Sequence, residues 1–178
     1  MKNVVLGLSG GVDSAVCAAL LKSQGFGVYG LYLENGVSDA GINDARAVAE
    51  QLGISLDVLD IRAALEEFVC SRFEAAYRRG ETPNPCIICN PSVKFKALVD
   101  FADQIGAEYI ATGHYARAAD GAIYKGMPSN DQSYMLCRIT KAQAARLVLP
   151  LGGYEKAQVR KIAESLGIHV AKKPDSME

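Results

Sequence analysis

No stretch of the 178 residues approaches the roughly 20 consecutive apolar residues of a membrane-spanning helix, so no membrane role is expected. Neither sign of charge is in excess. Nineteen Lys and Arg against twenty Asp and Glu leave a formal net charge of −1, which gives no global attraction to nucleic acid. Any RNA binding must rest on local patches or on parts of a larger protein. No internal repeat or low-complexity tract is present. No secretory leader is expected, because Met1-Lys2-Asn3 reads as opening directly into a strand. A cytoplasmic location is therefore expected, with the five cysteines as reduced thiols, so a special cysteine is sought in metal or sulfur chemistry. What remains is an ordinary globular composition, 49% hydrophobic and 22% charged, long enough for one domain with a substantial core.

The most informative stretch is Ser9-Gly10-Gly11-Val12-Asp13-Ser14. It follows Val4-Val5-Leu6-Gly7-Leu8, a short β-branched run that reads as a buried strand. It precedes Ala15-Val16-Cys17-Ala18-Ala19-Leu20-Leu21, in which Val16, Ala19 and Leu20 share a helical face. A glycine pair between a strand and the first turn of a helix presents free N–H groups and the positive end of a helix dipole to an anion. Gly10 and Gly11 permit positive φ and close approach, and Ser9 and Ser14 add hydroxyls. Asp13 stands where it either helps to hold magnesium or caps the helix. The Walker lysine is missing, so this is a different phosphate loop.

Further along, Val28 to Leu33 reads as a second strand, residues 41–52 as a helix and Leu56 to Asp60 as a third strand. A longer helix follows, with Leu65, Phe68, Val69, Phe73 and Ala76 on one stripe. The run from Arg78 to Cys86 contains Pro83 and Pro85 and is expected as a loop. Helical spacing resumes with Phe95, Leu98, Val99, Ala102 and Ile105, closed by Gly106. Residues 109–112 read as a fourth strand, 117–134 as polar and turn-rich, and 141–148 and 155–166 as helices. Alternating strands and helices imply an α/β fold, a doubly wound parallel sheet with helices on both faces and ligands at the carboxyl ends of the strands.

The S-G-G-x-D-S stretch resembles the signature of the PP-loop ATP pyrophosphatases, which cleave ATP to AMP and pyrophosphate and have an adenine nucleotide alpha hydrolase-like fold. Four further motifs narrow the resemblance to the tRNA-specific 2-thiouridylases. These are Thr82-Pro83-Asn84-Pro85-Cys86-Ile87-Ile88-Cys89-Asn90 with Val93-Lys94-Phe95, Ala111-Thr112-Gly113-His114-Tyr115, Asp131-Gln132-Ser133-Tyr134, and Val159-Arg160-Lys161-Ile162-Ala163-Glu164. That family uses ATP to activate a wobble uridine of tRNA, whose 2-oxygen is replaced by sulfur delivered as a cysteine persulfide.

The resemblance implies that Gly7, Leu8, Ser9, Gly10, Gly11, Val12, Asp13 and Ser14 bind the phosphates of ATP with Mg2+, and that Leu33 and Gly113 flank the nucleoside. Cys89 is then the catalytic cysteine, with Cys86 beside it. Asn84, Pro85 and Cys86 meet the target base, and His114 with Asn130, Asp131 and Gln132 contacts tRNA. A sulfur carrier or cysteine desulfurase relay is the implied protein partner. Arg78, Arg79, Lys94, Lys96, Arg117 and Lys125 are candidates to line the tRNA path. Many family members carry aspartate where this chain has Cys86. The resulting Cys86-x-x-Cys89 has the spacing of two ligands of zinc or an iron–sulfur cluster, although two cysteines do not complete either site. Cys17, Cys70 and Cys137 read as small hydrophobes, and His169 as structural or solvated. Residues 1–178 are expected to be a catalytic domain, ending at Pro174-Asp175-Ser176-Met177-Glu178 before the family's partner cysteine and later domains. Two other readings stay open: a PP-loop enzyme that adenylates a small molecule, and an inactive module that binds ATP or metal.

Overall fold

The computed structural model describes residues 2–37 and 40–174. Met1 and the expected terminal stretch Asp175 to Glu178 lie outside the described residues. Five parallel strands form the central sheet: β1 (Asn3–Gly7), β2 (Gly27–Glu34), β3 (Ser55–Asp60), β4 (Tyr109–Ala111) and β7 (Leu147–Val148), in the order β3-β2-β1-β4-β7. The register is set by pairs such as Val5 with Tyr29 and Val5 with Ile110. The chain steps outward from β1 to β3, then returns to the other side of β1 with β4. The order reverses at the carboxyl ends of β1 and β4, where open α/β sheets bind ligands.

Alternation along β1 separates the two faces. Val4 and Leu6 pack into one apolar cluster with α1 (Val12–Ser23), α2 (Ala40–Leu52) and α8 (Lys156–Ser165). Val5, Leu31 and Ile110 pack into another with Phe95, Leu98 and Ala102 of α6 (Phe95–Ile105). Val4, Val5 and Leu6 are all fully buried, each burial worth about 2 kcal/mol. Helix α1 is buried on nearly every side, which its small residues Ala15, Cys17 and Ala18 allow. Gly106 ends α6 in the left-handed conformation, at φ 71°. Among the described residues no helix is long and apolar enough to cross a membrane.

Four expectations change. The helix after β3 is α3 (Arg62–Leu65), a π turn over Glu66–Cys70 and α4 (Ser71–Arg78), one helical run with a wider turn inside it. Helix also begins earlier than Phe95: α5 (Cys86–Cys89) and a π turn at Asn90–Lys94 lead into α6. Pro91 has no N–H to donate, and the π turn accommodates it. The polar stretch after β4 contains a hairpin, β5 (Ala116–Ala119) and β6 (Ala122–Lys125), closed by Asp120 at φ 53° and Gly121 at φ 71°. Finally, the helix expected at 141–148 stops at Arg146 in α7 (Lys141–Arg146), and Leu147–Val148 is edge strand β7 beside β4.

Candidate active site

The loop after β1 turns at Gly10, whose φ is 77°. A Cβ there would stand 2.3 Å from the Gly41 carbonyl oxygen, so the backbone passes against the first turn of α2. Ser14, 4% exposed, stitches the loop together. Its hydroxyl accepts from the Ser9 N–H at 3.2 Å and donates to the Gly11 carbonyl at 3.0 Å. The first N–H groups of α1 have no carbonyl four residues back, and they open on this loop. The loop thus has the close-packed glycine backbone and the helix start that a phosphate cradle requires.

Asp13 does not cap α1, whose N-cap is Gly11 without a side-chain bond. Its carboxylate is bound from two sides. The Tyr115 hydroxyl donates to Oδ1 at 2.7 Å, and the Lys156 ammonium donates to Oδ2 at 2.6 Å. Lys156 also lies over the Tyr115 ring, 5.4 Å from its centroid. Burial pushes the neighbouring Cys17 thiol well up, and the Asp13 carboxylate adds to the effect. Cys17 therefore stays protonated and structural, donating to the Thr112 carbonyl at 3.6 Å.

The loop after β4 lies directly on this turn. A Cβ at Gly113 would come within 3.2 Å of Asp13 Cβ and 3.3 Å of the Ser14 nitrogen. His114 is tethered on both sides: Nδ1 shares a 2.8 Å hydrogen bond with the Thr112 hydroxyl, and the ring stacks on Phe95 at 6.1 Å. Tyr115 exchanges bonds with Gln132, the Tyr115 N–H donating to Gln132 Oε1 at 3.0 Å and the Gln132 N–H to the Tyr115 carbonyl at 2.8 Å. Asp131 accepts from the N–H groups of Gly126 and Ser133 and from the Ser133 hydroxyl. Those hydrogen bonds, led by Gly126, hold its carboxyl below the usual carboxylate range. The Asp131 and Gln132 side chains thus tie their segment to the hairpin and to the loop after β4. The Asn130 carboxamide accepts from the Ser129 hydroxyl at 2.8 Å, and its buried Nδ2 has no hydrogen-bond partner among the described residues.

The expected loop ends at Cys86, and Cys89 lies just beyond it on the helical turn α5. It is 9% exposed and clusters with Ile61, Val93 and Ala97. Leu33, near the carboxyl end of β2, packs against that same cluster. Cys89 and the residue expected beside the nucleoside thus join one apolar cluster. Cys86 is half-buried at the start of the turn, and its N–H donates to the Asn84 carboxamide at 3.0 Å. A cavity of about 330 Å³ adjoins this segment, lined by Pro83, Pro85, Ile88, Phe73, Arg72 and Arg79.

No group of three or more His, Cys, Asp or Glu side chains that could hold a metal occurs among the described residues. Cys86 and Cys89 therefore do not by themselves fit a zinc or iron–sulfur site. Cys70 and Cys137 are exposed, against the expectation of buried hydrophobes, because Cys70 lies on the π turn and Cys137 just past a short 3-10 helix. His169 is largely solvated, as its context implied. The basic candidates are spread over separate elements, and three carry carboxylate partners: Arg78 with Glu74, Arg79 with Glu81 and Lys96 with Asp100. Tyr115 and Lys156, the partners of Asp13, escaped the sequence reading. No local pattern joins residues 102 and 143 positions apart.

Residues 2–178 match the model of a family described as the tRNA methyl transferase HUP domain. The tRNA-specific 2-thiouridylase MnmA of Pelotomaculum thermopropionicum is 48% identical over 196 residues, an alignment covering 98% of this chain and 54% of that protein. Its counterpart from Shigella dysenteriae is 46% identical over 190 residues, with 98% and 52% covered. The chain spans about half the length of the curated relatives it matches. Among solved structures, NMN synthetase from Francisella tularensis superposes with a TM-score of 0.65 at 23% identity, over 98% of this chain and 66% of that one. A glutamine-dependent NAD+ synthetase from Acinetobacter baumannii gives 0.62 at 19%, over 92% and 28%. These two matches bear out the nucleotide hydrolase-like α/β fold.

Proposed function

The chain belongs to the tRNA methyl transferase HUP domain family, and on that footing we propose that it is the ATP-activating catalytic unit of a tRNA uridine 2-sulfurtransferase. The observation that carries the reading is the packing of the Gly113 loop after β4 directly on the glycine loop after β1. Leu33, near the carboxyl end of the adjacent β2, packs against the apolar cluster that holds Cys89. The family description speaks of methyl transfer, but the names of the curated relatives favour sulfur chemistry, which the Cys89 thiol could serve.

The C2 oxygen of uracil is a poor leaving group. Its attack on the α-phosphorus of ATP expels pyrophosphate and converts the oxygen into part of AMP, which can depart. In this chain Gly7 to Ser14 and the first turn of α1 hold the phosphates, so that fixed N–H dipoles stabilise the charge growing on pyrophosphate. Leu33 and Gly113 flank the nucleoside. A magnesium ion bound with ATP takes oxygen ligands, but both oxygens of Asp13 are already engaged, by Tyr115 and by Lys156. Cys89 brings sulfur as a persulfide, replenished by a sulfur carrier or desulfurase, and Cys86 on the same turn is a second thiol within reach of the chemistry. Asn84, Pro85 and Cys86 meet the uridine. His114 and the segment Asn130 to Gln132 face the tRNA, with Asp131 and Gln132 holding that segment in place.

The test is AMP formation from ATP and magnesium, with and without unmodified tRNA. Adenylation precedes sulfur transfer, so tRNA is expected to stimulate AMP release even where no thiolated product accumulates. AMP formation that never responds to tRNA, in this chain or in a protein as long as the curated relatives, would replace this reading with adenylation of a small molecule.

A further inference from the structure

We propose that Lys156 is the phosphate-binding cation of this site, supplied from the far end of the chain to a loop that has none of its own. The proposal rests on reading Gly7 to Ser14 as the ATP loop. Between those residues the one charged side chain is Asp13, and a bare carboxylate there would repel a polyphosphate. The fold resolves that conflict with Lys156, the first residue of α8, whose ammonium lies 2.6 Å from Asp13 Oδ2. The start of α8 is itself fixed by a capping box, in which the Glu155 N–H donates to Gln158 Oε1 at 2.8 Å. Tyr115 holds the opposite oxygen of Asp13 and lends its ring face to the same ammonium. Neither member of the pair is sealed from solvent: the side chains are 31% exposed for Lys156 and 26% for Asp13. A second ion pair stands behind the loop, where Lys173 donates to Asp44 at 2.5 Å beside the Gly10 backbone. That pair neutralises the other nearby carboxylate, while His169, 3.6 Å from it, remains largely solvated.

An ammonium has three donors, so Lys156 can meet a phosphate oxygen while it holds Asp13. When uracil O2 attacks, the bond from the α-phosphorus to its bridging oxygen breaks and pyrophosphate leaves with the electron pair. Lys156 donates hydrogen bonds to that departing anion and gives up no proton. Its role in the described geometry is to cancel Asp13 before ATP arrives and to favour pyrophosphate as it forms.

Calorimetry on the 178-residue chain with magnesium pyrophosphate, and separately with AMP, tests this. Lys156→Gln is expected to weaken pyrophosphate about 30-fold, the worth of a charge-assisted hydrogen bond, while AMP affinity holds. Lys156→Arg is expected to recover most of the loss. If Lys156 only bridged Asp13 to α8, the double variant Asp13→Asn with Lys156→Gln, an uncharged pair that keeps its hydrogen bond, would restore pyrophosphate binding. Restoration would overturn the proposal, as would unchanged binding in Lys156→Gln; persistent loss in the double variant supports it. Failure of the unaltered chain to bind either ligand would instead remove the ATP-loop reading, and this inference with it.

Discussion

Replacing Gly10 by alanine tests the close approach of the phosphate loop to α2. Two costs add. The backbone sits at φ 77°, a conformation that costs an L-residue about 1–2 kcal/mol. The new methyl carbon would also lie 2.3 Å from the Gly41 oxygen and 3.0 Å from the Ala45 nitrogen. Both are backbone atoms that no rotamer change can move. Relieving such an overlap costs about 1–3 kcal/mol in other packed sites, which puts the sum near 3 kcal/mol. Gly106→Ala is the internal control: its φ is 71°, but nothing lies within 4 Å of the added carbon, so it should cost only the backbone share of about 1–2 kcal/mol. Urea unfolding of both variants, analysed by linear extrapolation, measures the difference. A gap of about 2 kcal/mol is expected. Equal destabilisation of the two would refute the packing of the loop on α2. Because relief must shift the loop or the helix start, AMP formation in Gly10→Ala should fall about 100-fold, the penalty for a misplacement of about 1 Å.

Cys89→Ser should abolish tRNA thiolation while leaving tRNA-stimulated AMP formation within a few-fold of normal, checked by product analysis alongside AMP release; full thiolation in that variant would sink the sulfur-carrier role. Asp131 gives a pH-dependent prediction. Its folded-state carboxyl titrates below the ordinary value because Gly126, Ser133 and the Ser133 hydroxyl donate to the ionised form. The stabilisation is therefore complete above the unfolded value of about 3.9 and lost as pH falls through the lower folded value. Asp131→Asn cannot accept the Ser133 hydroxyl at its amide nitrogen, so it should be less stable than the natural chain at pH 7, with the gap narrowing as pH falls below about 4. A gap that stays constant across that range, followed by urea midpoints, would contradict the assignment.

The sequence by itself determined the parts whose physics is local. The β-branched run before Gly7, the Gly10-Gly11 turn and the apolar stripe of α6 closing at Gly106 were legible because each rests on neighbours within a few residues. The alternation of strands and helices then implied a parallel sheet with its site at the carboxyl edge. Short or mixed elements were not legible. Strand β7 is two residues long and exists because β4 offers it a free edge. The β5–β6 hairpin is built largely from alanines, so its signal lay in Asp120-Gly121 alone. The helical run from Cys86 was hidden by Pro83 and Pro85, which local rules read as loop, while Pro91 is absorbed by the π turn. Only tertiary structure placed Cys89 on the apolar cluster that Leu33 joins, and brought Tyr115 and Lys156 to the two oxygens of Asp13. A charge has no periodicity that announces its partner. The pairing of Asp13 with Lys156 was decided by where α1 and α8 pack on one face of the sheet.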